Sequence, residues 1–140
     1  MDPIEIKQNI TAEKTLFRFQ ELRERTMKVT EALYRTTDLF SDMEPLKWSL
    51  RDSAVKILSK ISSLAERPSY DDLRGLDSLT KEVEAIFYKL NLASGGTFVA
   101  RANFDVLERE YHGIKNQLTN YDTTKFSLPA PIDFSHLLLF

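Results

Sequence analysis

The clearest hydrophobic pattern in the chain lies between Ala100 and Leu118. Apolar side chains recur there at spacings of four, three, four, three and four residues, at Ala100, Phe104, Leu107, Tyr111, Ile114 and Leu118. This spacing places all of them on one face of an α-helix, in the rhythm of helices that pack along their whole length. The pattern predicts a long helix with one continuous apolar seam.

Three earlier segments carry seams of the same kind. The first seam is Phe19, Leu22, Thr26, Val29, Leu33 and Thr37. The second is Leu50, Ala54, Ile57, Leu58, Ile61 and Leu64. The third is Leu73, Leu76, Leu79, Val83, Ile86, Phe87 and Leu90. Four amphipathic segments with short connections predict an all-α fold, an antiparallel up-down four-helix bundle.

Capping and breaking residues set the predicted boundaries. Thr11 is a suitable N-cap for the first helix, which ends near Asp38. The second helix follows a cap at Ser41 or Asp42, and Pro68 ends it because proline pushes the preceding residue out of the helical region. A cap at Ser69 opens the third helix, and the segment 94–97 with its two glycines separates it from the fourth.

The two ends of the chain fall outside the predicted bundle of residues 11–121. Residues 1–10 alternate weakly, with Ile4 and Ile6 after a proline, and predict an extended arm. Residues 122–140 predict an extended C-terminal tail, because the helical pattern stops and a Leu-Pro-Ala-Pro linker leads to an apolar run that ends at Phe140.

Composition narrows the classes of function. The 140 residues suit one domain, and a net charge of −2 gives no global positive field that would recruit nucleic acid. The chain has no cysteine, which excludes disulfides, thiolate metal sites and thiol nucleophiles. Its longest apolar run, Leu137–Phe140, is too short to span a membrane, and the acidic N-terminus lacks the order of a signal peptide. We therefore expect a cytoplasmic protein that does not insert into membranes.

No motif indicates catalysis. Glu108 and His112 lie one helical turn apart, but a metal site in a bundle needs ligands from facing helices, and the other seams are apolar. The glycine pair after Ser94 lacks the lysine and the preceding strand of a phosphate-binding loop. No serine or threonine stands in a pattern typical of a nucleophile beside a base. We expect no enzymatic activity, cofactor, metal or small-molecule substrate.

Basic residues on the first two predicted helices have two interpretations. As a binding face, they would contact a phosphate backbone or a protein partner. As a solvated surface, those of the first helix would form pairs such as Glu21–Arg25 and Glu31–Arg35 in the favourable order four residues apart. The residues of the candidate binding face are Arg18, Arg25, Lys28, Arg35, Lys47, Arg51, Lys56 and Lys60.

Exposed apolar residues are the second candidate for binding. Trp48 lies off the seam of its helix, and tryptophan often anchors protein interfaces. The apolar tail would be an aggregation liability in water, so we expect it to pack on its own bundle or on a neighbouring subunit. These residues predict a homo-oligomer whose assembly uses Trp48, Phe134, Leu137, Leu138 and Phe140.

The order of these features resembles a known family. The first helix ends in Leu33-Tyr34-Arg35-Thr36-Thr37-Asp38-Leu39-Phe40, and a short turn leads to Leu46-Lys47-Trp48-Ser49-Leu50-Arg51. The last two helices are joined through residues 88–94. The pattern is similar to that of the four-helix-bundle family that includes the accessory variability determinant of diversity-generating retroelements and the proteins encoded in ribosomal-RNA intervening sequences.

The resemblance implies a non-enzymatic bundle that assembles into ring-like homo-oligomers, often pentamers. In the retroelement member, the ring binds the reverse transcriptase and its template RNA. By position, Lys47, Arg51, Lys56 and Lys60 correspond to the basic second helix of such proteins. The slightly negative net charge and the apolar tail depart from the family's usual pattern.

Two hypotheses of function follow. In the first, the chain is a non-catalytic, self-associating adaptor that binds a protein or a ribonucleoprotein, as a reverse-transcriptase accessory would. In the second, it is a structural protein–protein interaction module with no nucleic-acid role, assembled through its C-terminal apolar tail.

Overall fold

The fold is all-helical over the part of the chain that the structure, a computed structural model, describes. The described residues are 3–66, 76–96 and 101–119, with side chains from Phe17 onward. These ranges hold four α-helices and no strand: α1 (Pro3–Thr37), α2 (Pro45–Glu66), α3 (Leu76–Ser94) and α4 (Arg101–Thr119). The predicted class and the four helices are therefore confirmed.

The N-terminal arm was predicted wrongly, because the backbone is already helical at Pro3 and Thr11 lies inside α1. Proline is well tolerated at the first helical position, where its missing N–H would have no partner and its fixed φ suits a helix. Glu5, Lys7 and Gln8, which follow, are good helix formers. The weak alternation of two isoleucines does not outweigh these preferences.

The turn between α1 and α2 begins one residue before the predicted helix end. Pro45 is the first residue of α2, and the Glu44 carboxylate accepts a hydrogen bond from the Leu46 amide at 3.2 Å. Glu44 therefore caps α2, in place of Ser41 or Asp42. The Ser41 hydroxyl instead accepts a hydrogen bond from the Met43 amide within the turn, at 3.1 Å.

The predicted seams form the core. Helix α1 contacts α2 and α4, and α3 contacts the same two helices, so one set of apolar side chains is shared by all four. Every predicted seam residue with a described side chain is buried except Leu58 and Phe87, which are half-buried. Leu73 and Ala100 lie outside the described residues.

Buried threonines of α1 fit into this apolar core by bonding to their own helix. Each hydroxyl donates to the carbonyl four residues earlier, at 2.7–2.9 Å. The hydroxyls are thus satisfied locally, and the methyl groups remain available for packing. The residues are Thr26, Thr30, Thr36 and Thr37.

None of the helices, within the described ranges, combines the length and the apolar character that crossing a membrane requires. Two sequence predictions, the cap at Ser69 and the tail of residues 122–140, lie outside the described residues.

Candidate functional site

Two of the predicted basic binding residues are buried and do not belong to an exposed face. Arg25 lies in the core, where its Nε and Nη2 donate to the two carboxylate oxygens of Glu110 on α4. Lys47 is buried at the start of α2, where its ammonium donates to the Asp42 carboxylate at 2.7 Å and to the Phe40 carbonyl at 3.4 Å. On a helical wheel Arg25 lies beside the seam of α1, whereas Lys47 precedes Leu50 by three residues at the spacing of the seam itself. Both long side chains reach partners in the interior.

Glycine at position 113 makes room for the Arg25–Glu110 pair. A Cβ atom at Gly113 would clash with Nη2 of Arg25 and lie 3.1 Å from its Cζ. Glu110 was not predicted to be a core residue. The sequence does indicate that Glu110 could be buried: it lies three residues after Leu107 and four before Ile114, at the edge of the apolar seam.

Arg51 joins α1 to α2 on the surface of the molecule. Its Nε donates to the Thr37 hydroxyl at 2.9 Å, and its Nη2 donates to the Tyr34 carbonyl at 3.1 Å and to the Asp38 carboxylate at 2.7 Å. The guanidinium carbon also lies 4.5 Å from the centroid of the Tyr34 ring and 5.5 Å from that of Trp48. The Arg51 side chain thus packs against both aromatic rings and makes a cation–π contact with each.

Trp48 is fixed by a second set of contacts. Its indole N–H donates to the Asp42 carbonyl at 2.9 Å, and the Lys47 ammonium lies 5.1 Å from the centroid of its ring. Trp48 nevertheless remains 49% exposed, and Tyr34 is 36% exposed. The hydrogen bond and the nearby charge of Lys47 hold the pKa of the Asp42 carboxyl below its ordinary value.

These contacts define an aromatic–cation cluster of Tyr34, Lys47, Trp48 and Arg51, with Asp38 and Asp42 as its carboxylate partners. The two cations are neutralised within the cluster, so what it presents to solvent is aromatic surface with two largely exposed carboxylates. An aromatic surface of this kind, immobilised before any partner arrives, is typical of a protein-binding anchor.

Two further exposed apolar residues extend the cluster along the helices. Met27 precedes Tyr34 by seven residues, and Val55 follows Trp48 by seven, so each pair lies on one side of its helix two turns apart. Since Arg51 brings the Tyr34 and Trp48 rings together, these four residues lie along the junction of α1 and α2. We call Met27, Tyr34, Trp48 and Val55 the α1–α2 face.

The other predicted basic residues do not share one environment. Lys56 bonds to Asp52 at 3.0 Å, and this bond, with a smaller effect of Glu82, raises the pKa of Lys56. Lys28, Arg35 and Lys60 are exposed, and Arg18 is half-buried. Of the predicted assembly residues, Trp48 is on the α1–α2 face, whereas Phe134, Leu137, Leu138 and Phe140 lie outside the described residues.

His112 is engaged in an aromatic contact. Its ring stacks on that of Phe87 with centroids 4.0 Å apart, and Lys115 beside it bonds to Glu84 at 3.0 Å. Across the described ranges, no three histidine, aspartate or glutamate side chains come together as a metal-binding group.

No protein-family model, curated protein or solved structure matches this chain.

Proposed function

We propose that this chain is a non-catalytic helical protein that self-associates through its α1–α2 face. The observation that carries the proposal is the aromatic–cation cluster, in which Arg51 contacts the rings of both Tyr34 and Trp48 while the two side chains remain partly exposed. An exposed tryptophan or tyrosine without such contacts loses side-chain conformational entropy when a partner binds. Here the contacts with Arg51 restrict both side chains in the folded chain, so less entropy is lost on binding.

The architecture that we propose for this role is an antiparallel up-down bundle. It is supported by the order of contacts between α1 and α4: Phe40, after the end of α1, pairs with Phe104 near the start of α4, with ring centroids 6.2 Å apart. Further along α4, Glu110 pairs with Arg25, which lies earlier in α1. This order of contacts supports an antiparallel arrangement of α1 and α4, and the short turn between α1 and α2 suits an antiparallel pair.

Light scattering of the purified full chain tests the proposal. We expect a mass that is a multiple of the 16.2 kDa chain mass and that Trp48→Ala lowers toward one chain, because loss of a central aromatic anchor weakens an interface about tenfold or more. Tyr88→Ala, an exposed aromatic change on α3 away from the face, is the matched control and keeps the wild-type mass. A wild-type chain that stays monomeric at high concentration contradicts the proposal.

A second candidate is the ribonucleoprotein adaptor, with a reverse transcriptase and its RNA as partners, which the family resemblance implies. It is supported by Lys28, Arg35 and Lys60, whose side chains remain exposed on α1 and α2. It predicts RNA binding whose affinity falls steeply with salt and weakens in a Lys28→Ala, Lys60→Ala double variant. We rank it second because Arg25 and Lys47 are buried and Arg51 is held by Asp38. In both candidates, the cytoplasm is the proposed location.

A further inference from the structure

We infer that the residues on the two sides of each apolar seam decide which helix packs on which side of α1, and thereby the direction in which the four helices follow one another around the core. This inference rests on the antiparallel bundle proposed above and goes beyond self-association through the α1–α2 face.

The apolar seams alone do not specify this direction. Each seam repeats every seven residues, as Phe104, Tyr111 and Leu118 do on α4, so in heptad notation its residues occupy positions a and d. Positions e and g lie on the two sides of the seam. The helices α2 and α4 could change places around α1 with the same a and d residues in the core, so apolar packing would tolerate either direction.

Two polar contacts join neighbouring helices through their g positions. Arg25 of α1 and Glu110 of α4 form the buried ion pair, and Gly113 leaves room for the arginine on that side of α4. Lys89 of α3 donates a hydrogen bond to the Ser53 hydroxyl of α2. Each of these four side chains belongs to the residue immediately before a buried a residue of its helix, and those a residues are Thr26, Ala54, Leu90 and Tyr111.

The other two neighbouring pairs of helices meet through their e positions. Nε of Arg51 on α2 donates to the Thr37 hydroxyl of α1 at 2.9 Å. Nζ of Lys115 on α4 lies 6.0 Å from the centroid of the Phe87 ring on α3. Each of these four residues immediately follows a buried d residue of its helix, and those d residues are Thr36, Leu50, Ile86 and Ile114.

The two kinds of contact therefore alternate around the core, with e positions between α1 and α2 and between α3 and α4, and g positions between the other two pairs. In an antiparallel bundle that turns in the opposite direction they are exchanged, so that the g side of α1 faces α2. The g positions of α2 hold no carboxylate, since they are Leu46, Ser53 and Lys60. Arg25 would then lose its counterion, which is strongly unfavourable for a buried charge. The Arg25–Glu110 pair thus favours one direction over the other.

Cross-linking within single full-length chains tests this inference. The chain has no cysteine, so two introduced cysteines give one defined link. Lys28 is exposed three residues after Arg25, and Val106 is half-buried four residues before Glu110. Lys28→Cys with Val106→Cys, the reporter of the α1–α4 contact, should therefore be linked by a short bismaleimide. Ser63 is exposed on α2 and comes near Lys28 only if the bundle turns the other way, so Lys28→Cys with Ser63→Cys is the reporter of the opposite direction.

Replacing the ion pair in both reporters measures its effect on the direction. Arg25→Met with Glu110→Leu fills the two positions with apolar side chains, which no longer distinguish the two sides of α1. We expect the yield of the opposite-direction link to rise by about tenfold or more and the yield of the α1–α4 link to fall. Asp52→Leu with Lys56→Met removes an exposed ion pair within α2 and is the matched control, which leaves both yields unchanged. Circular dichroism checks that the variants are folded, and mass spectrometry identifies links within one chain.

Three outcomes would overturn the inference. The first is a folded ion-pair variant whose two yields equal those of the wild type. The second is an ion-pair variant that does not fold, because the pair would then be needed for folding itself and not for the choice of side. The third is efficient formation of the opposite-direction link in the wild type. Links within single chains do not depend on association, so failure of the proposed self-association is seen separately, in the mass from light scattering.

Discussion

At the scale of single residues, the Arg25–Glu110 ion pair is the feature that depends most on its exact surroundings. Both side chains are buried, and two charge-assisted hydrogen bonds connect α1 to α4 through residues that are 85 positions apart in sequence. Within the described part of the chain, Nη1 of Arg25 has no hydrogen-bond partner. A buried pair of this kind contributes little net stability compared with apolar packing, but leaving one charge without the other is costly.

Substitution of both partners separates these two effects. We expect Glu110→Leu to lower the free energy of unfolding by about 3–5 kcal/mol, because Arg25 would keep a buried charge with no counterion. Adding Arg25→Met to that variant should restore most of the loss, since two apolar side chains replace the pair. Urea unfolding of the wild type, both single variants and the double variant measures the coupling. Additive losses in the double variant would show that the pair is not a unit.

Gly113 is predicted to be required by the same pair. Alanine is normally favoured over glycine inside a helix by about 1 kcal/mol. At position 113, however, the added methyl group clashes with Arg25 and displaces the guanidinium from Glu110, so we expect Gly113→Ala to destabilise the protein by about 2 kcal/mol. Gly95→Ala is the control, because a Cβ atom there meets nothing closer than 3.5 Å. A more stable Gly113→Ala variant in urea would contradict this account.

At the scale of elements, apolar spacing predicted the four helices because each carries an uninterrupted seam. The stripe of α4 from Phe104 to Leu118 is buried throughout. The start of α1 could not be predicted in this way, since helix propensity and a tolerated proline decide it without a long periodic pattern. The described α1 therefore begins eight residues before Thr11.

The candidate site was predictable only in part, for a reason of side-chain length. Trp48 was identified because it lies off its seam, and the structure places it on the surface. Arg25 lies beside its seam, and a helical wheel fixes where its Cβ atom points but not where the long side chain ends. Lys47 lies at seam spacing before Leu50, so its burial was visible in the spacing but contrary to its charge. Their partners could not be read from the sequence, since Glu110 is distant in sequence and the Phe40 carbonyl belongs to the backbone of a turn.

The α1–α2 turn should respond to pH through Asp42. Because Lys47 lowers the folded-state pKa of Asp42 below its ordinary value of 3.8, the pair stabilises the fold above that pH. This contribution is lost as the pH falls through the lowered pKa. An NMR titration of the Asp42 carboxyl should therefore show a midpoint below 3.8, which Lys47→Met moves up toward that value. Lys56→Met, which removes the cation of a separate pair with Asp52, should leave the midpoint unchanged.

At the scale of the whole molecule, the four described helices share one hydrophobic core. Such a core predicts a single cooperative unfolding transition, in which the fluorescence of Trp48 and the helical circular dichroism signal change together. Leu107 lies within this core on α4, whereas Trp48 reports on the distant surface of α2. A substitution at Leu107 should therefore shift the unfolding transition by the same amount in both signals.

We expect Leu107→Ala to cost about 2–5 kcal/mol in the free energy of unfolding, as the loss of a buried leucine in a close-packed core does. If the four helices unfold as one unit, the urea midpoints from fluorescence and from circular dichroism fall by the same amount. Leu92→Ala removes a leucine that is 70% exposed on α3 and should change stability by less than about 0.5 kcal/mol. Midpoints that separate in Leu107→Ala would mean that α1 and α2 retain their structure after α4 has left the core, and the single shared core would then be wrong.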